Sequence, residues 1–160
     1  VWFNVFIKSE EIEMTNIARM RGHRGFTLVE IMIVVAIIVL LAAVSIPGLL
    51  RARMNGNEAA AIASLKTVAW AATTYRSSNA AYPANMSDLS SVVPQYVDSV
   101  LGSGRKQGYL FNLTGEANSF NITAVPETPN ATGVRTFFTD TSCVIRSSSN
   151  GTADVSSTPI

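Results

Sequence analysis

The sequence predicts an α+β chain. A long N-terminal α-helix, transmembrane in its first half and amphipathic in its second, packs against a small antiparallel β-sheet. Three observations predict it. No residue from Ile31 to Leu50 is charged. Apolar positions then recur at three and four through Ile62, Leu65, Val68 or Ala69, Ala72 and Tyr75 or Arg76, the spacing of one helix face. From Gly108 onward the chain breaks into short apolar segments punctuated by Gly and Pro, as strands in a meander do.

The uncharged run is about 20 residues, which as a helix spans roughly 30 Å, the thickness of a bilayer core. It is rich in Ile and Val, residues that favour strands in water. A lone strand in lipid leaves its backbone unpaired, so helix is required. Only 14% of the chain is charged, against about 25% in soluble globular proteins. Arg19, Arg21, His23 and Arg24 stand before the run, and Arg51 and Arg53 follow it. The positive-inside tendency places the N-terminal segment on the cytoplasmic side. The Ser-, Thr- and Asn-rich remainder is then exported. The run exceeds the apolar core of a secretory signal, about 7–15 residues, so it reads as an uncleaved anchor.

One acid sits at the head of this run. Glu30 in lipid costs about 2.5–3.5 kcal/mol or more, so a partner is expected for it. Thr27, one turn earlier, is placed to cap the helix start with its hydroxyl. Pro47 removes a backbone donor within the continuing pattern, and Gly48 beside it adds freedom, so a kink or local melting is expected there.

Beyond Arg53 the stripe reads as core-facing, with Glu58, Ser64 and Lys66 on the opposite face and Trp70 and Tyr75 helping to form the core. "SSNAAYPAN", residues 77–85, stops the helix. A helix from about Phe26 to Ser77 is roughly 78 Å long, so half of it must lie in a membrane or an assembly. In "MSDLSSVVPQYVDSVL", Ser87 is expected to cap a short turn with Leu89, Val92 and Val93 as its apolar face. Tyr96, Val97 and Leu101 continue as loop or turn. Strands are expected at 108–113, 120–125, 134–139 and 144–148. In the second, Phe120, Ile122 and Ala124 face one way and Asn121 and Thr123 the other. The polar tail after Ser147 reads as frayed or loop-like.

The chemistry of most enzymes is missing from the sequence. His23 is the single histidine and Cys143 the single cysteine. There is no Cys-x-x-Cys, phosphate-binding loop or dinucleotide fingerprint. Ser/His/Asp catalysis has no histidine beyond position 23. The acids Glu58, Asp88, Asp98, Glu116, Glu127, Asp140 and Asp154 fall in different elements. No enzyme activity, cofactor or metal is expected; Asp140 and Asp154 read as turn residues. Cys143 reads as buried or merely tolerated. The net charge of +1, with no aromatic-rich basic patch, gives no nucleic-acid partner. Asn-x-Ser/Thr triplets at Asn85, Asn112, Asn121, Asn130 and Asn150 are what chance yields in a chain of this composition.

"RGFTLVEIMIVVAIIVLLAAVSIPGLLRAR", residues 24–53, resembles the N-terminus of type IV pilins and of the related pseudopilins of type II secretion. Glu30 and Pro47 fall where that pattern has them. The resemblance implies a leader, residues 1–25, ending at Gly25. A prepilin peptidase then frees and methylates Phe26. Met14 or Met20 would give a shorter leader, with residues 1–13 an over-extended start. It further implies that the new amine of Phe26 meets Glu30 of a neighbouring subunit during assembly. Paired in this way, the two buried charges avoid most of the cost each bears alone.

The implied organisation is a transmembrane and filament-core helix at 26–50, an amphipathic helix half at 51–78, a connecting loop with a short helical turn at 79–107, and a sheet region with a polar tail at 108–160. The subunit is expected in the bacterial inner membrane, single-pass with a periplasmic head, and after assembly in a pilus at the cell surface. Implied partners are further copies or other pilins in a filament, the peptidase, the assembly platform and its ATPase. "YPANMSDL" and "PQYVDSVL" also resemble the segment after the long helix in major pseudopilins. The "PWGNPY"-like segment and calcium loop of those proteins are not matched, which favours a pilus subunit over a pseudopilin. A membrane-anchored binding module that never polymerises, using the loop from Pro126 to Gly133, is the alternative of a different class.

Overall fold

A computed structural model describes residues 25–160. The expected leader, apart from Gly25, lies outside them, as do the two alternative starts. The chain divides into two compact units with the boundary after Ala43.

Helix α1 covers Leu28–Ser78. In the second unit its inward face carries Ala61, Leu65, Val68 and Ala72, at the alternating spacing of three and four that one helix face requires. Short α2, Met86–Ser90, and α3, Ser99–Gly102, follow. Six strands then form one sheet in sequential order. They are β1 (Arg105–Lys106), β2 (Tyr109–Gly115), β3 (Phe120–Pro126), β4 (Thr136–Asp140), β5 (Arg146–Ser148) and β6 (Thr158–Pro159). Every neighbouring pair is antiparallel.

Alternation decides which sheet face meets the helix. Tyr109, Phe111 and Leu113 of β2 are buried, as are Phe120, Ile122 and Ala124 of β3. Phe137 of β4 joins them, and Met86, Leu89, Val97 and Leu101 close the side of the same core. Tyr82 packs on Phe120 with ring centroids 5.0 Å apart. Sheet and helix each hide the apolar face that the other would otherwise leave in water.

Several expectations need correction. Trp70 does not help form the core: it is 76% exposed, because its neighbours Ala69 and Ala71 take the inward positions. Glu58 and Ser64 lie in the buried part of the helix, not on its opposite face. Asn85, not Ser87, precedes α2 as its cap, and the Asp88 carboxylate accepts from the Asn85 N–H at 3.0 Å. Val92 and Val93 are exposed, so Met86 and Leu89 supply that helix's apolar face. Cys143 is exposed, at φ 55° in the turn after β4.

The third expected strand starts two residues late. Val134 and Arg135 give their N–H groups to Glu58 instead of to a ladder. The tail is not frayed. Thr158 pairs with Ser147 and Pro159 with Arg146, Ile160 donates to the Ile145 carbonyl at 3.0 Å, and Ala153 is buried. Pro159 is tolerated because β6 is an edge strand.

Gly133 is one of three close approaches in the head, with Gly102 and Gly115. A Cβ on Gly133 would collide with Oη of Tyr109, a fully buried ring whose hydroxyl donates to the Arg135 carbonyl at 2.8 Å. A rigid tyrosine in a packed core cannot step aside. Gly133→Ala is therefore expected to cost about 1–3 kcal/mol by overpacking. Thermal unfolding beside the parent chain measures it, and an unchanged transition would contradict the packing described.

Candidate processing and assembly site

Gly25, Phe26 and Thr27 precede the helix in non-helical conformation. A Cβ built on Gly25 meets nothing within 4 Å, so the surroundings seen here do not demand a glycine. Phe26 is 83% exposed.

Thr27 and Glu30 begin α1 with a reciprocal cap. The Glu30 N–H donates to Thr27 Oγ1 at 3.2 Å. Oε2 of Glu30 accepts from the Thr27 N–H and from its hydroxyl, each at 2.9 Å. This is the Thr-x-x-Glu capping box, and it satisfies donors that a helix start leaves open. The carboxylate also stands at the positive end of the helix dipole. Glu30 thus has a partner within its own chain, and the sequence "TLVE" contains the signal. The expected hydroxyl cap is present; the return bond from the carboxylate is the part sequence reasoning missed.

From Leu28 to Leu50 the large apolar residues are exposed. Among the described residues, α1 is the one helix long and apolar enough to cross a membrane. It runs through Pro47 and Gly48 as α-helix, and a Cβ on Gly48 would also meet nothing within 4 Å.

A second constellation ties α1 to the sheet. Glu58 is 5% exposed. Its Oε1 accepts from the N–H groups of Val134 at 2.9 Å and Arg135 at 3.1 Å, and Oε2 accepts from Arg135 Nε at 2.8 Å. Asn57 Nδ2 donates to the Thr132 carbonyl at 2.8 Å. Burial pushes the Glu58 carboxyl up, but the donors from Val134 and Arg135, with the guanidinium charge, outweigh it and hold the group below its usual range. Burial first, and then the Glu58 charge, push the Tyr109 phenol up. The missed signal was phase: positions 58, 61, 65, 68 and 72 share one helix face.

Elsewhere the acids serve local turns. Asp140 accepts from the Ser142 N–H at 2.8 Å, and Asp154 from the Ser156 N–H at 2.9 Å. Among the described residues no group of three or more His, Cys, Asp or Glu side chains could hold a metal ion.

Comparison with known proteins adds to these observations. The prokaryotic N-terminal methylation motif matches residues 20–46. The chain is 42% identical over 73 residues to the type IV wide pilus major component PilA4 of Thermus thermophilus, covering 46% of this chain and 56% of that protein. It is 30% identical over 95 residues to type II secretion system core protein G of Vibrio cholerae, covering 59% and 65%. The corresponding protein of Pseudomonas aeruginosa is 33% identical over 94 residues, covering 58% and 66%. Each match spans less than two thirds of the relative's own length.

Proposed function

This chain belongs to the type IV pilin and pseudopilin family, and we propose that within it the protein is a structural subunit of a type IV pilus. The observation that carries this reading is the form of α1: an exposed apolar half that begins at a single capped acid, Glu30. Exposed apolar area on that scale needs lipid or other subunits to cover it.

In this reading the monomer waits in the inner membrane with its head in the periplasm. A prepilin peptidase cuts after Gly25 and methylates Phe26. The open space around Gly25 fits a glycine selected by an outside enzyme. The freed amine of Phe26 then pairs with Glu30 of a neighbouring subunit. Oε1 of Glu30 takes no hydrogen bond among the described residues, so an incoming ammonium can be accepted without first dismantling the cap. Each helix slides until this pair meets, which sets the axial register. Pro47 and Gly48 are where α1 bends or loosens to fit. An assembly platform and its ATPase supply the work, and the chain itself catalyses nothing.

The second reading is a type II secretion pseudopilin, which the two core protein G relatives favour. Mass spectrometry of the N-terminal peptide, from membranes and from sheared surface fibres, tests both. A peptide beginning at methylated Phe26 in the fibres is expected. Its confinement to membranes would move the reading to the pseudopilin. An intact peptide crossing Gly25–Phe26 under native expression would overturn processing altogether.

A further inference from the structure

We infer that Asn150 is a site of spontaneous backbone-mediated deamidation, and that the fold selects it over the other Asn–Gly pair in the chain. Asn–Gly occurs twice, at Asn55–Gly56 and Asn150–Gly151. Glycine matters because no side chain shields its nitrogen. In the reaction the backbone nitrogen of the glycine attacks Cγ of the asparagine. A C–N bond forms, the side-chain amide leaves as ammonia with the displaced proton, and a five-membered succinimide remains. Water then opens either imide carbonyl, giving aspartate or isoaspartate. Water is the sole co-reactant.

The two pairs differ in what holds the attacking nitrogen. Gly56 lies inside α1, where its N–H is committed to the carbonyl four residues earlier and the helix holds it away from Cγ. Asn150 and Gly151 lie in a bend after β5, and both are exposed. Neither the Gly151 N–H nor the Asn150 side-chain amide takes a hydrogen bond among the described residues. Both reacting groups at this site are open to water, and no ladder must break before they meet.

The product has a structural consequence. Buried Thr136 grips this segment: its hydroxyl donates to the Gly151 carbonyl at 2.8 Å and accepts from the Ala153 N–H at 2.9 Å. Isoaspartate adds one carbon to the main chain just before that grip. The modification therefore places a new negative charge on the bend and displaces Gly151 from Thr136. This inference stands apart from the assembly reading.

The test uses the full chain in detergent, incubated at mildly alkaline pH and digested with trypsin under mildly acidic conditions. Cleavage after Arg53 and Lys66, and after Arg146, separates the two asparagines into different peptides. Conversion at Asn150 is expected to be on the order of tenfold or more faster than at Asn55, because helix opening must precede the latter. Asn150→Gln, a surface change, should abolish the signal. Equal rates at both sites, or no conversion at Asn150, would overturn the inference. A glycan on Asn150, whose Asn-Gly-Thr triplet permits one, would overturn it too, since the substituted amide is no longer the leaving group described.

Discussion

Glu58→Ala is expected to lower the stability of the Val44–Ile160 unit by about 2–3 kcal/mol. The substitution removes the one acceptor that serves two backbone N–H groups and a guanidinium at once. Helix propensity moves the other way, since alanine is the better helix former, but only by a few tenths of a kcal/mol. Losing one member of a fully enclosed ion pair costs about 3–5 kcal/mol. Here the Arg135 side chain is 43% exposed and water can solvate it after the loss, so the cost falls below that range. Glu58→Gln keeps an acceptor oxygen and loses the charge, and about 1–2 kcal/mol is expected for it.

The sign of the pH dependence follows. The folded-state carboxyl of Glu58 is held below its ordinary value. Its contribution is therefore complete above the ordinary carboxylate range and is lost as pH falls through the lowered folded value. Glu58→Gln should flatten that part of the acid limb. Urea unfolding of the three chains in one detergent, at neutral and acid pH, measures both effects. Glu58→Ala within about 0.5 kcal/mol of the parent, the usual effect of an unremarkable surface change, would mean the clamp contributes nothing.

The second large effect concerns Glu30. Glu30→Ala is expected to leave membrane insertion and removal of the leader intact while abolishing incorporation into sheared fibres. The substitution removes half of the capping box and the proposed charge partner for a neighbour's amine. Glu30→Gln separates the two roles, because glutamine also completes a capping box but carries no charge. Loss of fibres in both variants, with Phe26 correctly processed in both, is the expected outcome. Fibres from Glu30→Gln at the parent's yield would assign Glu30 to capping its own helix, and the proposed pairing with a neighbour's amine would fail. Immunoblots of membrane and fibre fractions give the readout.

Much of the architecture was legible because it rests on local rules. Ile31 to Leu50 has no charge, and lipid permits only helix for a lone span. The alternation of Phe120, Ile122 and Ala124 named the buried face of β3 correctly. Thr27 was readable as the hydroxyl cap of α1, though not the return bond from Glu30. What escaped was decided by partners distant in sequence. Two-residue strands such as β1 and β6 have no periodicity to read; they exist because β2 and β5 offer them an edge. Trp70 is apolar, but the phase of α1 turns it outward. Glu58 is charged, but Val134 and Arg135, seventy-six and seventy-seven residues later, offer it donors.

By itself, then, the sequence determined the apolar half of α1, the acid at its head and the strand order of the central meander. These follow from spacing and hydropathy, which act between near neighbours. Only the tertiary structure decided which face of the amphipathic half is buried, that Glu58 pins the β3–β4 loop to it, and that the tail closes the sheet. A buried carboxylate is tolerable only when donors converge on it, and that convergence exists only once helix and sheet have met.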